Sequence, residues 1–346
     1  MVQRVSSQSA IIIAAGVTAA FTILGTYFYQ KRKRSKVPAE WTPVGKVKKM
    51  AIFPMKSGRR MEVQQAECTK RGLMECEKSD KTFRLRDRAF VVYQEKTMES
   101  KTGRNHNKMV LVEVKALDES SVVFEAPGIM SLTLQVPCRS KNSEVFVKFF
   151  LDEPVFMIDC GAEAAKWISN YLLQEDFGLR LGYNDGSHQR VLIPKFLKEL
   201  NDYNHRGISR NSAGLNSDLT AVMMMTQASV DDVNRRMFSP HVPAESYRPN
   251  LLMDDPNLEP FEEDNWEWIK VGDVIMKNVS ECGRCIMTTI DMETGIRRSD
   301  REPLKTMEKY RISKGPVKDP VMGIMLEVFR TGKISVGDTV YVGKTV

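Results

Sequence analysis

The sequence lacks most of the motifs by which redox cofactors are recognised. It has no G-x-G-x-x-G dinucleotide fingerprint, and "GKT" at residues 343–345 has no glycine five positions before it, so it is not a phosphate-binding P-loop. There is no Cys-x4-Cys-x2-Cys run for a plant-type iron–sulfur cluster. The four histidines stand singly, without an evident haem motif. We therefore expect no iron–sulfur cluster, no haem and no flavin.

A basic surface is also missing from most of the chain. The formal net charge is +7 over 346 residues, but residues 1–50 carry +8 and the remaining residues therefore carry −1. A folded nucleic-acid-binding surface would concentrate Lys and Arg on the body of the protein. We therefore expect no nucleic acid among the partners. The six cysteines show no disulfide framework, as expected for a cytosolic body.

One long apolar run is present, at the N-terminus. In a helix, residues 10–29 would span about 30 Å, the thickness of the hydrocarbon core of a bilayer. The basic "KRKRSK" at 31–36 follows directly, and the positive-inside rule places such a flank in the cytosol. A cleaved secretory signal would instead have its charges before the apolar run. We therefore predict a membrane anchor at 10–29 within an N-terminal segment 1–36, followed by a linker at 37–44.

The body of the chain is typical of many short strands and few helices. Runs such as "KMAIFP", "FVVY", "MVLVEV" and "CIMTTID" lie between polar, Gly or Pro breaks, which favours a β-sandwich or barrel. Two helices are indicated, "DCGAEAAKWISNYLLQE" and "ASVDDVNRRM", the second with a capping box of Ser229 and Asp232. Residues 201–219 are polar and predict a mobile loop. The predicted class is α+β, predominantly β, with an N-terminal transmembrane helix.

The spacing of Cys282 and Cys285 leaves several kinds of site open. A thioredoxin-type dithiol stands at a helix N-terminus, but this pair lies between strand-like runs. A structural zinc site needs four ligands, usually two such pairs, and no second pair is present. Both alternatives are disfavoured without being excluded. A single thiolate beside the cation of Arg284 is favoured, and thiolate sulfur suits soft metal chemistry.

Several motifs occur in the order found in one known family. They are "IFPMKS" (52–57), "LRDRAFVV" (85–92), "DCGAEAAKWI" (159–168), "SDLTAVMMMTQASVDDVN" (217–234), "YRPNL" (247–251), "VGDVIM" (271–276), "CGRCIMTTID" (282–291), "GIRRSDREPLKTMEKYR" (295–311) and "GKISVGDTVYV" (332–342). Together they resemble the molybdenum-cofactor-binding core of MOSC-domain proteins, most closely the mitochondrial amidoxime-reducing component family. The resemblance implies an N-terminal MOSC β-barrel domain at 45–175 and a MOSC domain at 176–346.

The resemblance also implies roles for individual residues. Cys285 would be the single protein ligand to molybdenum, and Cys282 a neighbour without that role. Apart from what the resemblance implies, Asp218 is the candidate proton donor in catalysis, with a solvated turn or N-cap aspartate as the alternative. Some of the cofactor-binding side chains suit a phosphate dianion. The full cofactor-binding set would be Lys56, Ser57, Arg88, Asp218, Leu219, Thr220, Arg248, Asn250, Gly283, Arg284 and Cys285.

Three positions depart from the family pattern. Gly283 stands where Ser or Pro is frequent, Leu219–Thr220 stands where the family has a Thr–Ser pair, and Met325 stands where it has a pocket tyrosine. These departures bear on how a substrate fits more than on how the cofactor binds.

The implied function is the reduction of N-hydroxylated compounds, such as amidoximes and hydroxylamines, by a molybdenum cofactor. The implied electron donors are cytochrome b5 and NADH–cytochrome b5 reductase. Because the body is near neutral overall, we expect a local basic patch to dock the acidic donor, with the arginines of "GIRRSDR" (295–301) as candidates. The alternative is a non-catalytic cofactor carrier or maturation protein, since MOSC modules also occur in such proteins. The resemblance favours the mitochondrial outer membrane, in a single pass with the body facing the cytosol.

Overall fold

Nineteen strands carry most of the regular structure in residues 36–200, 207–315 and 317–344, the parts of the chain that the computed structural model describes. The strands are β1 (Thr42–Ile52), β2 (Met61–Glu62), β3 (Gln65–Thr69), β4 (Gly72–Glu75), β5 (Phe90–Gln94), β6 (Ser100–Lys101), β7 (Glu113–Ala116), β8 (Ser121–Glu125), β9 (Leu132–Gln135), β10 (Glu144–Lys148), β11 (Pro154–Asp159), β12 (Leu179–Tyr183), β13 (Val222–Thr226), β14 (Leu251–Asp254), β15 (Trp268–Val271), β16 (Val274–Gly283), β17 (Val321–Arg330), β18 (Gly332–Ser335) and β19 (Thr339–Gly343).

The described helices are few and short, in agreement with the predicted predominance of β-structure. The α-helices are α1 (Ala162–Leu173), α2 (Pro194–Leu200), α3 (Gln227–Arg236) and α4 (Leu304–Met307). Single turns of 3-10 helix cover Asn107–Leu111, Phe150–Asp152, Ala244–Tyr247, Glu262–Asn265 and Ile286–Thr289. Helices α1 and α3 are the two that the sequence predicts. Helix α2, with seven residues, is too short for a clear apolar periodicity.

Seven strands close into a barrel in the order β1–β14–β13–β17–β16–β15–β19, with β19 returning to β1. Closure satisfies both hydrogen-bonding edges of each strand, so no edge of the barrel is left open. Successive side chains of β13 point to opposite faces of the strand. Val222 and Met224 pack in the core inside the barrel, whereas Met223 and Met225 pack in a cluster outside it. The apolar run "VMMM" is therefore buried on both faces of β13.

The other sheets lie mostly in the first half of the chain. A five-stranded sheet has the order β10–β11–β12–β5–β6, and two three-stranded sheets have the orders β7–β8–β9 and β18–β3–β4. Helix α1 packs on the first two of these through Ala164, Trp167 and Ile168. Strand β1 belongs to the barrel, and β12 pairs with β5. Chain segments on both sides of the predicted boundary at 175 therefore share sheets.

Three local predictions are wrong. "CIMTTID" and the start of "MVLVEV" form 3-10 turns instead of strands. In the first, the hydroxyls of Thr288 and Thr289 donate back to the carbonyls of Cys285 and Ile286, at 3.0 and 2.7 Å, which favours a turn. The capping box is also different: Thr226 is the N-cap of α3, and its Oγ1 accepts from the Ser229 amide at 3.2 Å.

Part of the predicted mobile loop is packed. Residues 212–217 are buried, and the Gly214 amide donates to the Leu219 carbonyl at 3.0 Å. Residues 201–206 of that loop lie outside the described residues.

The expected single-pass localisation also needs correction. Among the described residues no helix is long and apolar enough to cross a membrane, and the longest of them, α1, has 12 residues. A crossing needs about 20. The prediction that the chain crosses a membrane once is therefore wrong, as far as the described residues show. The predicted anchor itself, residues 10–29, falls outside them.

Candidate functional site

All eleven residues that the sequence singles out line one cavity of about 640 Å³. Strand order explains much of this convergence. Strand β14 lies between β1 and β13. It pairs antiparallel with β1, where Met50 is opposite Leu251, and parallel with β13, where Met224 is opposite Leu251. The end of β1 and the starts of β13 and β14 therefore meet, which brings together the residues that follow or precede them: Lys56, Ser57, Asp218, Leu219, Thr220, Arg248 and Asn250.

The two cysteines stand where β16 ends, in different surroundings. Cys282 is buried, packs in the apolar cluster beneath the cavity, and lies 2.8 Å from Nη1 of Arg284. Cys285 is exposed on the cavity wall, and the 3-10 turn Ile286–Thr289 begins directly after it. Gly283, the last residue of β16, is exposed between them. Both cysteines thus line the cavity, but Cys285 is exposed there whereas Cys282 is only 9% exposed.

Two arginines are fixed side by side on one aromatic ring. The guanidinium carbons of Arg88 and Arg248 lie 4.9 and 4.2 Å from the ring centroid of the buried Phe53. Arg88 also forms an ion pair with Asp87. Arg248 has no such pair among the described residues, and its Nη1 donates to the Gly58 carbonyl at 2.8 Å. Burial, reinforced by the charge of Arg88, lowers the pKa of Arg248 to about 9. A buried cation in this state favours an anionic ligand.

Unsatisfied donors point in the same direction. Within the described residues, Nη2 of Arg248 and Nε of Arg284 are buried without a hydrogen-bond partner. Buried donors in native proteins are nearly always paired, so an unpaired donor on a cavity wall indicates a ligand position.

Lys56 and Asp218 form an ion pair inside the cavity. Nζ of Lys56 lies 2.6 Å from Oδ1 of Asp218 and 2.9 Å from the Asn216 carbonyl. The lysine side chain is 7% exposed, whereas that of Asp218 is 79% exposed and opens into the cavity. Burial lowers the pKa of Lys56, partly offset by Asp218. The charge of Lys56 holds the pKa of Asp218 well below its usual range, so Asp218 is a carboxylate near neutral pH.

Several lining residues have a left-handed backbone. Ser57, Arg88 and Arg248 have φ values of 64°, 56° and 56°, and Leu151 and Asp152 on another part of the lining have 60° and 61°. Such conformations cost about 1–3 kcal/mol in residues other than glycine, and they concentrate at functional sites. The surrounding fold therefore imposes the positions of these side chains.

Three of the predicted residues line the cavity while their side chains are engaged elsewhere. The Asn250 amide donates to Ala51 and Asp87 and accepts from the Met223 amide, all within 3.1 Å. Leu219 packs in the apolar cluster that contains Met325, and the Thr220 hydroxyl donates to the Val222 carbonyl at 3.3 Å. Their described contacts support the wall.

The sequence did not indicate one buried ion pair of this wall. Arg190, which is 4% exposed, makes two contacts to the buried Glu153, at 2.6 and 3.1 Å. Its Nη1 donates to the carbonyl of Ser217, directly before Asp218, at 2.6 Å. Arg190 and Lys56 both lie over the ring of Phe149, at 5.2 and 5.1 Å. No motif marks Arg190, because only the fold brings it to the cavity.

The lining as a whole is basic, with eight Lys or Arg residues and five Asp or Glu residues. Its floor is apolar and rich in sulfur, through Met223, Met287 and Met325. In the described residues, no three His, Cys, Asp or Glu side chains group as a metal site. The arrangement can hold an elongated anion, with one exposed thiol at its wall.

Comparison with known proteins gives matches along nearly the whole chain. The MOSC domain matches residues 213–341, and the MOSC N-terminal beta barrel domain matches residues 44–175. Mitochondrial amidoxime-reducing component 1 of Danio rerio is 32% identical over 336 residues, which are 95% of this chain and 93% of the relative. Mitochondrial amidoxime reducing component 2 is 32% identical in Rattus norvegicus and 31% in Homo sapiens, covering 94% of this chain in both cases and 91% and 92% of the relatives.

Proposed function

Because this chain belongs to the mitochondrial amidoxime-reducing component family of MOSC-domain proteins, we propose that it is a molybdenum-cofactor-dependent oxidoreductase. Its substrates are N-hydroxylated compounds, amidoximes and hydroxylamines, which it reduces to amidines and amines. The observation that carries the proposal is the exposed thiol of Cys285 on the wall of a large basic cavity.

The cavity residues fit this cofactor. A pterin phosphate is a compact dianion, and Arg248 and Arg284 each have a buried donor nitrogen without a partner in the described residues. Arginine donors are suited to phosphate oxygens because of their fork geometry. A thiolate is a suitable molybdenum ligand because soft metal centres prefer sulfur. The volume of about 640 Å³ is in the range of cofactor and small-molecule pockets.

In this proposal each part of the wall has a separate task. Cys285 binds the metal, and the buried Cys282 with Arg284 supports the turn that presents it. Arg88, Arg248 and Lys56 hold the phosphate and pterin, and Ser57 adds a hydroxyl. Asn250, Leu219 and Thr220 keep the wall in place. The bound cofactor supplies two-electron chemistry: two electrons and two protons convert an N–OH group to N–H and water.

Protons must reach the substrate from the chain or from solvent. Asp218 is the proposed proton carrier, because its carboxylate opens into the cavity. Its lowered pKa keeps it deprotonated near neutral pH, so it takes up a proton before it can deliver one. Lys56, whose ammonium lies 2.6 Å away, is the neighbouring proton source.

The electrons come from separate proteins in this proposal, namely cytochrome b5 and NADH–cytochrome b5 reductase. Family membership supports these donors. The expected dependence is strict: NADH alone should not drive the purified chain.

The test combines metal analysis with a reconstituted assay. The purified chain should contain close to one molybdenum per molecule and should reduce benzamidoxime when NADH, the reductase and cytochrome b5 are all present. Omitting either donor protein should abolish turnover. A chain that binds molybdenum but reduces no N-hydroxylated compound with any donor would instead be a cofactor carrier. A chain without molybdenum would refute both functions.

A further inference from the structure

The three arginines of residues 295–301 differ in whether a carboxylate neutralises their charge. Arg298 pairs with Asp300 at 2.7 Å, and Arg301 pairs with Glu308 at 2.6 Å. Arg297 is exposed and donates from Nη2 to two neutral acceptors, Oδ1 of Asn107 at 2.8 Å and the carbonyl of Arg104 at 3.2 Å. Of the three, only Arg297 forms no ion pair within the described part of the chain.

Two further cations lie beside Arg297. Arg104 and Lys108 are exposed, and neither forms an ion pair with any described residue. A nearby acid, Glu293, is already engaged by Arg59 and Arg60. We call Arg104, Lys108 and Arg297, together with the 67% exposed side chain of Ile296, the basic patch.

The two segments that carry Lys108 and Arg297 are packed against each other. Val110, Leu111, Ile290 and Met292 form a small apolar cluster that joins the Asn107–Leu111 turn to the segment carrying Arg297. Gly295, at φ +68°, lets the two segments approach: a Cβ there would come within 3.1 Å of the Leu111 side chain. Because the two segments are packed together, the backbone at Lys108 and the backbone at Arg297 are held close to each other.

The basic patch is also next to the cavity. Arg104 lines the cavity, and its charge contributes to the lowered pKa of Asp218. Met287, which packs against the same apolar cluster, lines the cavity two residues after Cys285. A protein bound at the basic patch would therefore stand at the rim of the site.

We propose that the basic patch is the docking surface for an acidic electron-donor protein. This inference rests on the proposed function and names the residues by which its partner binds. Three cations without an ion pair in the described residues, together with one exposed apolar side chain, match a surface of carboxylates that also carries apolar area. Arg298 and Arg301, whose charges are already neutralised, contribute little to the docking.

The test measures binding of cytochrome b5 to the full chain by titration calorimetry at several salt concentrations. The variant Lys108→Glu/Arg297→Glu should raise the Kd about ten-fold or more at low salt, and the effect should shrink as salt screens the charges. The matched control, Arg301→Glu/Lys333→Glu, makes the same change in net charge elsewhere and should shift the Kd less than about two-fold. Equal Kd values for the two variants would overturn the inference.

A second measurement separates this inference from the proposed function. Benzamidoxime reduction driven by chemically reduced methyl viologen needs no docking protein, so both variants should keep the rate of the unaltered chain. Loss of this rate only in Lys108→Glu/Arg297→Glu would show damage to the site and overturn the docking role. If neither variant nor the unaltered chain reduces benzamidoxime, the proposed function is refuted, and the comparison of Kd values still tests the docking role.

Discussion

Arg248 is a cation buried on the cavity wall with little compensation for its charge. It stacks on Phe53 and donates to the Gly58 carbonyl, but its Nη2 has no described partner. A buried cation is expensive to desolvate, and the cost is recovered only when an anion binds beside it. Burial, together with the charge of Arg88, lowers the pKa of Arg248 to about 9, and an anion bound beside it would oppose this shift.

Phosphate should therefore stabilise the cofactor-free chain through Arg248. At ten times its Kd, inorganic phosphate should add about 1.4 kcal/mol to the unfolding free energy, seen as a rise in Tm. The variant Arg248→Met should lose most of this rise. The control Arg330→Met, at an exposed position on the end of β17, should keep it. Equal stabilisation of Arg248→Met and the unaltered chain would place the anion site elsewhere.

At the residue scale, the residues that the sequence singles out all line the cavity, but the residues that support them could not be deduced. Lys56, Arg88, Arg248 and Cys285 belong to short motifs that recur as units, so their convergence could be expected from motif order. Arg190 could not, because its partners Glu153 and Ser217 are 37 and 27 residues away and no motif joins them. The unequal pairing of the arginines at 297, 298 and 301 likewise depends on which carboxylates the fold brings near.

At the element scale, the junction after β16 decides which thiol is presented. Ile and Thr favour strands, so the residues of "CIMTTID" predict a strand. The threonine hydroxyls instead bond to carbonyls three residues back and produce a 3-10 turn. A continued strand would have alternated its side chains between two faces. The turn places Cys285 at its start, exposed, while Cys282 remains in the buried strand.

The N-terminus of α3 is also set by tertiary contacts. Glu263, from the 3-10 turn Glu262–Asn265, is fully buried and accepts from the hydroxyls of Ser229 and Thr226, at 2.8 and 3.1 Å. Burial raises the pKa of Glu263, and the nearby Asp264 adds to the effect. The capping geometry depends on this carboxyl, 34 residues from Ser229, so a local capping box could not describe it.

Stability should depend on the protonation of Glu263 with a definite sign. From its ordinary pKa of 4.5 up to the raised value, the folded chain binds the proton more tightly than the unfolded chain. The unfolding free energy therefore falls as pH rises through that window. Glu263→Gln should remove this part of the fall, measured as the urea midpoint from pH 4.5 to 8. Glu262→Gln, at the neighbouring half-buried position, should keep it. A fall of the same size in Glu263→Gln would contradict the assignment.

At the scale of the whole molecule, β1 joins the two halves of the chain. It comes from the first half, yet it pairs with β14 and β19 and closes the barrel. Val47, Met50 and Ile52 of β1 are buried in the barrel core. Short strand runs predicted a barrel or sandwich, but which strands pair could not be deduced, because pairing is set by contacts far apart in sequence.

Removal of β1 should therefore destroy the fold of the second half. Burial of Val47, Met50 and Ile52 contributes about 1.5–3 kcal/mol each, which approaches the total stability of a typical domain. A chain beginning at residue 40 should unfold cooperatively on heating, whereas one beginning at residue 54 should show no cooperative transition and should aggregate through the open edges of β14 and β19. A cooperative transition in the shorter chain would show that the barrel does not need β1.

In the proposed function, Cys285 serves the metal and Cys282 serves the fold. Cys285 is exposed on the wall of the basic cavity, whereas Cys282 is buried beside Arg284. This division of roles separates the protein from a dithiol or a zinc site, in which both sulfurs would be used.

The most direct test compares Cys285→Ala with Cys282→Ala in molybdenum content and in benzamidoxime reduction by the reconstituted system. Cys285→Ala should lose activity by about a hundred-fold or more, since loss of a metal ligand exceeds the usual cost of losing a supporting contact. Cys282→Ala should keep its molybdenum and most of its rate, with a small loss of stability from the vacated volume. Full activity in Cys285→Ala, or loss of metal in Cys282→Ala alone, would refute the assignment of Cys285 as the metal ligand.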